Sequence, residues 1–78
     1  MKRVIIEIND TTASDLVELV KLCNRHHVNG GGFNSHGRLT VRCLLAMLAE
    51  DAGMVVSRPG SWEGSNMALV LSSHGYEV

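Results

Sequence analysis

The stretch Asn29-Gly30-Gly31-Gly32-Phe33-Asn34-Ser35-His36-Gly37-Arg38-Leu39-Thr40 limits what the rest of the chain can become. Four of the eight glycines fall here, at Gly30, Gly31, Gly32 and Gly37. Glycine loses more backbone entropy on ordering than any other residue, and this run has too few apolar side chains to offset that loss by burial. It can belong to neither a packed helix nor a buried strand. It divides the chain into two apolar parts, and it either only connects them or binds something.

Before this break, Arg3-Val4-Ile5-Ile6-Glu7-Ile8 reads as a β-strand, because β-branched residues suit a pleated surface. Val4, Ile6 and Ile8 would share one face, and Arg3, Ile5 and Glu7 the other. A lone strand leaves its backbone groups unpaired, so a partner is expected from a second subunit or from later in the chain. Thr12 with Asp15 resembles a capping box. Leu16, Leu19, Val20, Cys23 and His27 then recur at helical spacing, which predicts a first helix from about Ala13 to His27. Asp15 and Glu18 near its start, and Arg25, His26 and His27 near its end, suit the helix dipole.

After the break, Thr40 is a candidate N-cap. Val41, Leu44, Leu45, Leu48, Ala52, Val55 and Val56 predict a second helix from Val41 to at least Asp51. Gly53 leaves its end open. As a C-terminal cap it would make Met54–Ser57 a strand; otherwise the helix runs on and stops before Pro59. Ser57 to Asn66 is a second polar, glycine-bearing segment, and Met67–Leu71 is too short to assign by periodicity. Gly75 reads as a left-handed cap with Tyr76 folding back, so a third helix from about Trp62 to His74 is expected. The rival is a hairpin of strands 54–57 and 67–72 that pairs with the N-terminal strand. The fold class expected is α+β, mostly helical: one N-terminal strand, paired across a dimer, then two or three helices, in a single domain over residues 1–78. The alternative is a three-stranded sheet with two helices.

A hydrophobic fraction of 45% is that of a folded protein. Phe33, Trp62 and Tyr76 are the only aromatics, so the core must be aliphatic. A domain of 78 residues has a thin stability margin and often leans on a partner subunit, which points to a homodimer or higher homo-oligomer. The net charge of −1 counts against a dedicated nucleic-acid binder but is compatible with a local basic patch. Cys23 and Cys43 fall on apolar stripes and read as buried, reduced thiols. Val4-Ile5-Ile6 is too short for a signal peptide or a membrane span, so a cytoplasmic protein with no membrane partner is expected.

Gly32-x4-Gly37-Arg38-Leu39-Thr40 comes close to the phosphate loop G-x4-G-K-[ST] and fails it three times. Arg38 replaces lysine, the hydroxyl comes one position late, and a helix rather than a strand precedes the loop. The underlying physics is looser than the motif. Free amides at the start of the second helix form an anion site, and Arg38 and Arg42 would add charge-assisted donors. The second polar segment supplies another arginine and aromatic, Arg58 and Trp62, and aromatic faces stack on bases. The ligand-binding set expected is Gly31, Gly32, Phe33, His36, Arg38, Thr40, Arg42, Arg58, Ser61, Trp62 and Asn66. Cys23, His26, His27 and His36 lack any CxxC or HxxxH spacing, so no metal is expected. Gly60-Ser61-Trp62-Glu63-Gly64 is not a nucleophile elbow. No carboxylate pair is evident either, and neither an enzyme nor a cofactor is expected.

The strand Lys2-Arg3-Val4-Ile5-Ile6-Glu7-Ile8, the helix from Ala13, and Gly37-Arg38-Leu39-Thr40 leading into the second helix resemble the ribbon-helix-helix family of dimeric repressors. The resemblance implies that Arg3, Ile5 and Glu7 face DNA and that Thr40 with the following amides grips a phosphate. The loop between the helices is longer than that family's turn, Glu7 would point an anion at DNA, and a C-terminal extension follows. In size and character the chain is also similar to small phage-encoded accessory proteins that inhibit host defence.

The function expected first is a non-catalytic oligomeric binding module. Its two glycine-rich loops would hold an anionic, nucleotide-like ligand, with sequestration as one form this role takes. The alternatives are a dimeric DNA-binding regulator and a small inhibitor that works by protein–protein contact.

Overall fold

A computed structural model of the chain describes residues 1–29 and 36–78. The described residues form three helices: α1 (Asp10–Asn29), α2 (Val41–Ser57) and α3 (Trp62–Ser73). They contain no β-strand, so the α+β expectation is corrected to an all-α architecture. Residues 1–9 have no regular secondary structure and are exposed throughout. The β-branched run has the composition of a strand, but a strand exists only as one side of a ladder. Residues 54–57 and 67–72, which the hairpin alternative needed as partners, lie in α2 and α3. Among the described residues that sheet is therefore absent.

The described chain falls into two units, Met1–Val41 and Arg42–Val78. In the first, α1 starts three residues earlier than the Thr12–Asp15 pattern implies. Asn9 is the cap: its Oδ1 accepts the Thr12 N–H at 2.8 Å, and its carbonyl accepts the Ala13 N–H at 2.9 Å. The half-buried residues of α1 are Ala13, Leu16, Val20, Cys23, Asn24 and His27, a single stripe at helical spacing. Leu19, expected on that stripe, is 42% exposed.

In the second unit α2 runs straight through Gly53 and ends at Ser57, two residues before Pro59. Proline has no N–H to continue the ladder. A four-residue turn, 58–61, reverses into α3, where Ser61 is the N-cap. Its hydroxyl accepts the Gly64 N–H at 3.0 Å and donates to the Arg58 carbonyl at 2.7 Å. Gly64 is buried where α3 meets the last turn of α2; a β-carbon there would lie 2.7 Å from the carbonyl oxygens of both Arg58 and Met54. At the far end Gly75 takes φ +90°. The Tyr76 N–H donates to Leu71 O at 3.0 Å and the Gly75 N–H to Ser72 O at 2.9 Å. This paired closure is a Schellman motif, as Gly75-Tyr76 led one to expect.

Leu44, at 3% exposure, is the one buried hydrophobic side chain among the described residues. Cys23 is half-buried and Cys43 exposed, so neither is the buried thiol that the apolar stripes implied; they are not bridged to each other. Among the described residues, no helix is long and apolar enough to cross a membrane.

Candidate functional site: a cationic recess beside α1

The C-terminal half of α1 carries Lys21, Arg25 and Asn29 at intervals of four residues, with Asn24 beside them. Four residues rise about 6 Å along a helix, so these side chains line one face at one-turn spacing. The segment leading into α2 returns to this face and brings Arg38 with it. Lys21, Asn24, Arg25, Asn29 and Arg38 together line a shallow, open recess of about 350 Å³. Three of the five are cations and the other two are amides.

One side chain ties the segment to α1. The Asn24 Nδ2 donates to the Leu39 carbonyl at 2.9 Å, and the Leu39 N–H donates to Asn24 Oδ1 at 2.7 Å. A carboxamide has a donor and an acceptor side by side, so it can engage both backbone groups of one residue. Gly37 lets the chain bend just before this clasp. Its φ is +62°, a conformation that a β-carbon disfavours. A β-carbon placed there would stand 4.0 Å from the His27 ring.

The charges of the recess are accessible. Arg25 and Arg38 are exposed and form no ion pair among the described residues. Lys21 Nζ lies 3.2 Å from Glu18 Oε1, with the two side chains 62% and 68% exposed. A pair so exposed is worth little and releases Lys21 readily. Arg25, near the helix C-terminus, also offsets the negative end of the dipole. Arg38 is not part of α1 and has no such role.

Of the residues expected to bind a ligand, Arg38 is in this recess. His36 and Thr40 are exposed on the same segment. Arg42 is exposed in the first turn of α2 and belongs to the second unit. Gly31, Gly32 and Phe33 lie outside the described residues. Arg58, Ser61, Trp62 and Asn66 sit in the second unit, around the α2–α3 turn. There the Ser61 hydroxyl is engaged in the cap, Trp62 is 79% exposed, and Asn66 is half-buried.

Arg25 was read only as a partner of the helix dipole and Asn29 only as the start of the glycine-rich break, and Lys21 and Asn24 were given no role. The signal that finds them is the distribution of charge. From Leu19 to Ala49 there is no aspartate or glutamate, while Lys21, Arg25, Arg38 and Arg42 and three histidines all fall in that run. Among the described residues no group of three or more His, Cys, Asp or Glu side chains is placed to hold a metal ion. Comparison with family models, with curated proteins and with solved structures gave no match.

Proposed function

We propose that this chain is a cytoplasmic, non-catalytic, oligomeric module that binds an anionic, phosphate-bearing ligand of nucleotide-like kind at the Lys21–Arg25–Arg38 recess. The observation that carries this reading is the lining itself: three cations and two amides, with no carboxylate among them. Such a surface offers charge-assisted donors to phosphate oxygens. On this reading the activity is binding and sequestration without turnover. The repressor-like alternative depends on a β-ribbon, and the described residues contain no strand.

Oligomerisation is supported by the exposed apolar residues of the first unit. Val4, Ile5, Ile6 and Ile8 are 84%, 95%, 60% and 43% exposed, and Val17 and Leu22 are 45% and 55% exposed. With Leu44 the single buried hydrophobic side chain among the described residues, a second copy is the natural means of burying this surface.

Three exposed charge-assisted contacts at about 2 kcal/mol each correspond to a dissociation constant of tens of micromolar at low salt. Calorimetric titration with inorganic pyrophosphate and with a nucleoside diphosphate tests the reading. Binding should weaken steadily as ionic strength rises and disappear in the Lys21→Ala/Arg25→Ala/Arg38→Ala variant. Failure of the wild-type protein to bind either compound at low salt would exclude the recess as a phosphate site.

A further inference from the structure

We propose that Asn24 is the positioning residue of the recess, in that its hold on Leu39 sets Arg38 alongside Lys21 and Arg25. The inference rests on the phosphate-binding reading and identifies what assembles that site. Lys21 and Arg25 are placed by the backbone of α1. Arg38 is not; it stands between Gly37 and Leu39 on a segment with no regular secondary structure. Two hydrogen bonds between Asn24 and Leu39, at 2.9 and 2.7 Å, hold that segment against α1. Leu39 and Asn24 are half-buried, so the clasp is partly sheltered from competing water. Arg38 stays exposed on its outer side with no ion pair among the described residues, so its guanidinium remains available to a ligand.

The chemistry of residue 24 is specific. Aspartate keeps the acceptor for the Leu39 N–H, loses the donor for the Leu39 carbonyl, and adds an anion among three cations. Alanine loses both bonds. Neither change touches the charge of Lys21, Arg25 or Arg38. Ligand and clasp act on the same segment, so each favours the other by the same factor. A ligand on Arg38 therefore protects the Leu39 amide, although Leu39 itself is not among the residues that line the recess.

The test is a double-mutant cycle read by calorimetric titration with inorganic pyrophosphate, joined to hydrogen exchange of the Leu39 amide. Asn24→Ala is expected to weaken binding about tenfold, as Arg38→Ala does, through loss of one charge-assisted contact. The double variant should bind no more weakly than Arg38→Ala alone, because the two changes remove the same contact. Saturating pyrophosphate should slow Leu39 exchange in the wild-type protein, and this readout stands even where Asn24→Ala does not fold. A purely structural asparagine would lower stability but leave the two affinity losses additive and Leu39 exchange indifferent to ligand. Binding that is lost in Arg25→Ala and Arg38→Ala but intact in Asn24→Ala overturns this inference alone. No binding by the wild-type protein overturns the phosphate reading and this inference together.

Discussion

Two glycines of the second unit, one in α2 and one in α3, should respond to the same substitution with opposite sign. Gly53 lies inside α2, and a β-carbon there meets nothing within 4 Å. Gly53→Ala should therefore gain only the helix-propensity difference, about 0.5–1 kcal/mol. Gly64 is in the first turn of α3, where propensity favours alanine equally. Its β-carbon would, however, lie 2.7 Å from Arg58 O, 2.7 Å from Met54 O and 3.1 Å from Met54 C. Ordinary carbon–oxygen contacts are about 3.3–3.6 Å, so the last turn of α2 and the first turn of α3 must part by roughly 0.6 Å or more. Both obstacles are backbone and cannot rotate away. Overpacking of this kind costs about 1–3 kcal/mol. The same movement pulls on the Arg58 carbonyl that receives the Ser61 N–H and hydroxyl, putting at risk a cap worth about 1 kcal/mol. After the propensity gain is subtracted, Gly64→Ala should destabilise by about 1–3 kcal/mol. For a domain of this size each kcal/mol moves Tm by about 4–8 °C. Thermal melts followed by far-ultraviolet circular dichroism should thus show Gly53→Ala a few degrees above wild type and Gly64→Ala roughly 5–20 °C below it, given those slopes. If Gly64→Ala raises Tm as Gly53→Ala does, the close approach of α3 to α2 at this point is wrong.

Two further outcomes follow from single residues. Ser61→Ala removes the hydroxyl that accepts the Gly64 N–H at 3.0 Å, so stability should fall by about 1 kcal/mol in a urea titration while pyrophosphate affinity at the recess is unchanged; loss of affinity with no loss of stability would make Ser61 a ligand group and not a cap. Burial of Val4, Ile5, Ile6 and Ile8 on a second copy is worth about 4–8 kcal/mol per protomer at their exposures, which after the cost of association leaves a dimer dissociating in roughly the micromolar range. Sedimentation velocity across a concentration series should show that equilibrium, with Ile5→Asp held as a monomer; a wild-type protein that sediments as a monomer throughout would refute it.

The helices were legible where local physics decides them. The 3.6-residue recurrence in Leu16–His27 and Val41–Val56 located α1 and α2, and Gly75-Tyr76 located the end of α3 to within a residue. Two kinds of error remained. The start of α1 was misplaced because the Thr12–Asp15 pattern pointed to Thr12, whereas Asn9 makes both cap bonds. Hydrogen-bond capacity at a cap is a property of geometry that residue type only narrows. The N-terminal run was misread for a different reason. Propensity describes how a residue fits a sheet that already exists, and Arg3–Ile8 has no second strand among the described residues. Gly53 shows the opposite balance: its cost of about 1 kcal/mol within α2 is smaller than what the continuous helix gains on either side.

The site was harder to read because both facts that define it are relational. A net charge of −1 conceals a chain whose acids, Glu7, Asp10, Asp15, Glu18, Glu50, Asp51, Glu63 and Glu77, all lie outside residues 19–49. Charges act over about 10 Å at moderate ionic strength, so an average over the whole chain says little about what a ligand meets at Arg25. The second fact is the clasp. Asn24 and Leu39 are fifteen positions apart, and no periodic pattern links an asparagine on a helix to a leucine beyond a glycine-rich break. The break itself was read as a flexible approach to a helix N-terminus, with the anion site assigned to the amides at the start of α2. The proposed recess is lined mainly by side chains of α1, and Arg38 is the one residue common to it and to the expected ligand-binding set. A loop that brings a single arginine to a helix already bearing two cations needs no phosphate-loop motif. It needs only enough glycine to turn and one side chain able to hold it there.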